Sequence, residues 1–443
     1  MRQQVQTVFL IAALLVLAAC SNTGAAPSLN STPTLMPTLD QAASAVRDVV
    51  PQPTEPSPTP QAANLRIWWP DDLYPVDNST ASSILSEQIE GFRDTYSNLG
   101  LDVRRKRASG LGGILSTLRT AAPVAPSAMP DLTLMQRGDM IAAASEGLII
   151  PINDWVASDV LNNLPANVRA LGEIDGTLYG VPYALNLFHV VYRAALLANP
   201  PLSFEDVLEQ QPRFRFSAGV EPGNSVNWTI LLQYLAADGR LVDENNNPVL
   251  DEGPLMALLE FYAQGVEQGI FDNTLLNNTQ VDSYWNSFSS GETSMMCLDT
   301  RTYLTRKDGV PNVGLAPLPT ADGNPLTALE GWMWVLTTHD PDRQDQAATF
   351  LSWIMRVNAQ AVYLEALGLL PSQQQALSLW DDQDYATFAQ TMLTTAQIVP
   401  MALRNSSAAA ALQLAVASVL EGAPAQDAAA EALAKFAVAE TTN

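Results

Sequence analysis

Nucleophilic, acid–base or metal chemistry needs thiols, imidazoles or carboxylates held close together, and this chain offers few such groups. It has two cysteines, Cys20 and Cys297, and two histidines, His189 and His339, each isolated from the others. No H-E-x-x-H or C-x-x-C spacing occurs, so neither a zinc site nor any other metal site is expected. A G-x-S-x-G nucleophile elbow and a G-x-x-x-x-G-K-[ST] phosphate loop are equally missing from the sequence. The 46 acidic residues could in principle supply a glycosidase pair, but no spacing joins two of them. The sequence therefore points to a chain that is not an enzyme and needs no cofactor. Cys297, beside Met295 and Met296, reads as a small buried hydrophobe. Cys20 is different. It follows Arg2, the apolar run Val8–Val16 and then Leu17-Ala18-Ala19, which is the pattern of a secretory signal peptide over residues 1–19. That run is well short of the ~20 residues a membrane-spanning helix needs.

The remaining chemistry is recognition, and the elements that position it follow the leader. Residues 20–63 carry eight prolines among Ser, Thr, Gln and Ala, and read as a disordered linker. Order begins at the strand Leu65–Trp69. A helix is predicted at Ser82–Tyr96 from the spacing of Ile84, Leu85, Ile89, Phe92 and Tyr96. Strands at Leu101–Arg104 and Asp131–Met135 and a helix from Asp139 complete an alternating pattern, the grammar of a parallel α/β sheet with ligand loops at one rim. Leu231–Ala237 and Leu255–Val266 belong to a helical middle. Strands return at Val313–Pro319 and Trp332–Leu336, and helices at Ala347–Met355, Ala359–Leu367 and Ala408–Leu420. Strands on both sides of a helical excursion imply lobes built from discontinuous segments. The length suits two lobes, and the net charge of −24 argues against a nucleic-acid partner.

Leu17-Ala18-Ala19-Cys20 resembles the lipobox of bacterial lipoproteins, which implies cleavage before Cys20, lipidation of Cys20, and attachment to the outer face of a cell membrane. Further along, Pro130-Asp131-Leu132 and Glu146–Ile152, Asp175–Pro182, Val191-Tyr192-Arg193, Pro201–Val207, Phe288–Met295 and Gly368–Ser372 resemble, in order, the motifs of extracellular solute-binding proteins. The resemblance is to their sugar-binding group, which includes the maltose-binding protein. It implies a two-lobed clamshell of the type II periplasmic-binding-protein kind, with residues 64–184 plus 318–368 in one lobe and 185–315 plus 371–436 in the other. Hinge crossings are expected near Tyr183–Asn186, Gly314–Leu318 and Leu367–Pro371. The implied function is capture of a small solute, most simply a carbohydrate, by a monomer that delivers it to the permease of an importer of the ATP-binding-cassette type. A sensing lipoprotein that signals to a partner, or a site for a polyol, glycerol phosphate or sugar acid, are the alternatives.

A sugar needs aromatic rings for its C–H faces and fixed polar groups for its hydroxyls. By the resemblance, Trp332 is the leading stacking ring, although Trp334 shares its strand face. Trp68 and Trp69 alternate faces, so one of them points into the lobe core, and Trp69 is the candidate contact. Asp72 follows that strand, and Gln136 and Arg137 follow the third strand. Tyr183 and Asn186 sit at the first crossing, and Trp228 lines the second lobe. Asp299 and Arg301 depart from the family pattern. They either pair with each other at the surface or make the cleft more polar, leaving room for an acidic or amino sugar. Arg193 is a second departure.

Overall fold

The computed structural model describes residues 64–442 apart from Pro75 and Asn246, all within the compact unit Gln61–Asn443. The leader, Cys20 and the linker lie outside the described residues. Among the described residues, ten of twelve strands form one sheet. In chain order the strands are β1 Leu65–Pro70, β2 Leu101–Lys106, β3 Leu132–Gln136, β4 Glu173–Ile174, β5 Thr177–Leu178 and β6 Gly180–Arg193. They continue with β7 Phe214–Arg215, β8 Met295–Asp299, β9 Val313–Ala316, β10 Thr327–Leu336, β11 Leu370–Pro371 and β12 Ala396–Gln397.

The parallel grammar holds at the amino-terminal end, where β1 lies between β2 and β3 and runs parallel to both. The helix Ser79–Thr95 starts where Asn78 accepts a hydrogen bond from the Ala81 N–H, and it buries Leu85, Ile89 and Phe92. The returning strand β10 then enters antiparallel between β3 and β6. No element of the sequence reading corresponds to β6, yet this strand joins the two halves of the sheet. Its first part pairs with β10 up to Leu187, and from Phe188 it pairs with β8. Side-chain hydroxyls satisfy the backbone at this change of partner. Phe188 N–H donates to Thr327 Oγ1 at 3.0 Å and Leu187 N–H to Thr300 Oγ1 at 3.3 Å. The window Gly314–Leu318 overlaps β9, which pairs with the far end of β6, and β11 pairs with β6 at Ala184 and Leu185.

Three apolar cores flank the sheet. One gathers Trp69, Phe92, Tyr183, Trp334, Phe350 and Tyr363. A second holds Phe204, Phe261, Tyr262 and Phe271 with the Ala-rich helix Ser407–Leu420. The third includes Trp285, Tyr303, Trp380 and Tyr385. Two of the motif strings are folding signals. Asp175 and Gly176 adopt φ of 49° and 78°, the left-handed turn that joins β4 to β5. Ser203 and Asp206 form a reciprocal capping box at the start of the helix Phe204–Gln210.

Candidate functional site

A cavity of about 130 Å³ lies where the carboxyl end of β3 meets β10 and the segments that return from the helical half. Gln136, at the end of β3, and Glu330, on β10, contribute from the sheet. Trp228, first residue of the helix Trp228–Ala236, and Arg404, last of the short helix Met401–Arg404, contribute from the other side. Asn227 caps the Trp228 helix by accepting from Thr229 N–H, which fixes the ring's approach. A smaller void of about 20 Å³ continues past Trp228 and Arg404 towards Phe188 and Glu221.

Trp228 and Phe188 have ring centroids 5.3 Å apart, and the Arg404 guanidinium lies 4.0 Å from the Trp228 centroid. The nearest Arg404–Glu330 approach is 3.9 Å, an ion pair without a hydrogen bond. Protein surrounds the Glu330 carboxylate, but it opens onto the cavity, so its side chain keeps 40% exposure. Burial raises its pKa to about 7; Arg404 opposes the shift, while Asp299 and Glu221 reinforce it. Burial also lowers the Arg404 pKa, though a guanidinium stays charged at any physiological pH. The arrangement can stack a ring, accept from hydroxyls at Glu330 and Gln136, and donate from Arg404.

Of the residues singled out from sequence, Gln136, Arg137 and Trp228 line this cavity. Arg137 is already committed in part, since its Nη1 donates to the carbonyls of Ala170, Leu171 and Glu173. Asn186 and Asp299 meet each other, with Asn186 Nδ2 donating to Asp299 at 2.9 Å. Asp299 also caps the helix Thr300–Arg306. Arg301 does not pair with Asp299. Its Nη2 instead donates to the Asp72 carbonyl at 2.9 Å, tying the loop after β1 to the helix after β8. The Asp72 carboxyl sits above its ordinary pKa through partial desolvation and the neighbouring Asp71, with Arg301 pulling the other way.

Three aromatic candidates need correction. Trp69 is fully buried, 5.0 Å from the Trp334 centroid, and its Nε1 donates to the Leu73 carbonyl. Trp68, the alternative, packs in a different core under Lys106. Tyr183 is also fully buried against Trp69 and Trp334. Trp332 is 8% exposed and packs in the same core as Trp69. Period two placed Trp332 and Trp334 on one face correctly, but that face is the lobe interior. Glu330 and Arg404 escaped the sequence reading. Glu330 was visible only as the residue two before Trp332, and Met401-Ala402-Leu403-Arg404 carries no motif.

Two solved structures share the fold. The sugar-binding protein MalE from the phytopathogen Xanthomonas citri superposes with a TM-score of 0.65 at 19% identity, covering 86% of this chain and 99% of that one. The cyclic alpha-maltosyl-1,6-maltose binding protein from Arthrobacter globiformis gives 0.64 at 17% identity, covering 84% and 98%. These likenesses establish the two-lobed type II periplasmic-binding-protein architecture. Among curated relatives, the maltotriose-binding protein of Pyrococcus abyssi is 22% identical over 281 residues, 59% of this chain. The match spans 58% of that relative's length. Residues 95–390, well over half of the chain, match the description of a bacterial extracellular solute-binding protein, and the chain belongs to that family.

Proposed function

We propose that this chain captures a saccharide between its lobes and hands it, chemically unchanged, to the permease of an ATP-binding-cassette importer. The observation that carries this reading is the convergence of Gln136 and Glu330 from the sheet, and Trp228 and Arg404 from two helices, on one cavity. An aromatic ring beside incompletely satisfied donors and acceptors suits a molecule with C–H faces and hydroxyl edges. The maltotriose and maltose in the names of similar proteins support a carbohydrate as the ligand. On this reading residues 64–184 plus 318–368 close against residues 185–315 plus 371–436 about β6 and β10, and Arg301–Asp72 helps hold them together. The chain acts as a single copy, tethered outside the cell by lipid on Cys20.

A thermal-shift screen over mono- and oligosaccharides, polyols, amino acids and peptides tests the proposal. A true ligand at 100 times its dissociation constant stabilises the fold by about 2.7 kcal/mol. The expected hits are saccharides, with no turnover of the bound sugar. Shifts produced by peptides or amino acids alone would overturn the reading.

A further inference from the structure

We propose that the cleft is built for an acidic saccharide, one whose carboxylate docks on the Arg404 guanidinium. The inference rests on the saccharide reading above and narrows it to a chemical class.

The argument starts from hydrogen bonds that are not made. The Arg404 side chain is only 6% exposed, yet no hydrogen bond leaves its guanidinium, and Nε is buried without a partner. Its nearest carboxylate stands 3.9 Å away. A guanidinium removed from water and left without hydrogen bonds is costly even beside a carboxylate at 3.9 Å, so the site favours whatever supplies acceptors. Arg404 borders both voids. Arg137 borders the larger void as well. Three carbonyls hold its Nη1, while its buried Nε has no partner. Two guanidinium groups, each with a buried Nε that has no partner, therefore border one small cavity.

The carboxylates on that wall are Glu330 and Asp139. Burial raises the pKa of both, that of Glu330 to about 7, while the arginines stay charged. Glu221 faces Arg404 and Glu330 from the smaller void, and Asp299 faces Glu330 from the β8 end but is already engaged by Asn186 and the Thr302 N–H. With Glu330 near its midpoint at pH 7, the two arginines on the wall of the larger void outweigh its two carboxylates, which leaves room for an anion. A neutral hydroxyl would satisfy hydrogen bonds but leave the buried charge unbalanced. A ligand ammonium would meet two guanidinium groups. A carboxylate matches the planar fork and neutralises it.

Titration calorimetry on the full chain tests this with glucuronate and galacturonate, as monomers and as linked di- and trisaccharides. Each is compared with the neutral sugar and the amino sugar of the same ring and linkage. At least one uronate is expected to bind about tenfold or more tightly than its neutral and amino counterparts. Arg404→Gln, with its fold checked by circular dichroism, should weaken the uronate at least tenfold more than the neutral sugar, and Arg404→Lys should recover part of the loss. Neutral or amino sugars that bind as tightly as every uronate would overturn the acidic preference while leaving the saccharide reading intact. Failure of all three classes to bind would overturn both.

Discussion

Trp228 and Trp332 are chemically the same residue in opposite situations, and substituting each by alanine should separate binding from folding. Trp228 borders the cavity beneath Arg404, so Trp228→Ala should abolish ligand-induced thermal shifts while the ligand-free chain keeps its native circular dichroism. Trp332 is packed in the core, so Trp332→Ala should cost about 3–5 kcal/mol in urea denaturation. The sequence could not place Trp332 because period-two alternation gives a strand's faces without saying which face is inward, and Trp228 opens a helix whose partners lie far away in the chain. Arg404 was illegible for another reason: it acts through its position in space, from a four-residue helix with no motif.

His189 supports a prediction about pH. The ring is fully buried, with Tyr303, Tyr385 and Phe388 around it, and burial pushes its pKa down to about 4. The unfolded chain takes up a proton near pH 6.5, whereas the folded chain resists until about pH 4. Stability from this residue is therefore present above pH 6.5 and lost as pH falls towards 4, by about 3 kcal/mol in all. Glu330, raised to about 7, works in the opposite sense over an overlapping range. His189→Phe should therefore flatten the acid limb of a stability–pH curve, measured by urea denaturation at pH 7 and pH 4.5. An unchanged acid limb would contradict the burial of a neutral imidazole.

At the scale of elements, β6 and β10 form the axis of the molecule, and Gly331 marks a close approach between them. A Cβ at Gly331 would come 2.8 Å from the Ala184 carbonyl oxygen, and the pairing of the two strands shifts register one residue later. Gly331→Ala should push the strands apart, cost about 1–3 kcal/mol of stability, and weaken ligand binding because Gly331 also borders the cavity. Wild-type stability and affinity in this variant would contradict the close approach.

The elements themselves were unevenly legible. Ser79–Thr95 was readable from periodicity and Ser407–Leu420 from its alanine content, and both begin within three residues of the helices read from sequence. By contrast β6 is buried along most of its length, so it lacks the alternation that marks a half-exposed strand. It also contains Pro182, which argues against a strand in a sequence reading. Motif strings such as Asp175-Gly176 and Ser203–Asp206 sit at turns and caps. They made the fold recognisable for the same reason that they gave little information about the ligand.

For the whole molecule, two features remain in tension. The chain carries a net charge of −24, yet two guanidinium groups border the cavity. Long-range repulsion of an acidic ligand should be screened by salt, so association of a uronate should speed up as ionic strength rises from about 10 mM to 150 mM, over which the Debye length falls from about 30 to 8 Å. Among the described residues no helix is long and apolar enough to cross a membrane. On the proposed reading the tether is the lipid on Cys20, and Cys20→Ala should abolish incorporation of radiolabelled palmitate and leave the leader uncleaved.

Hydrogen exchange by mass spectrometry, with and without the tightest-binding saccharide, examines the capture site directly. Protection should appear together in peptides covering Gln136–Asp139, Trp228, Glu330 and Arg404, which lie far apart in the chain and meet only at the cavity. Protection confined to one of these segments, or found only at surfaces remote from all four, would contradict capture between the lobes.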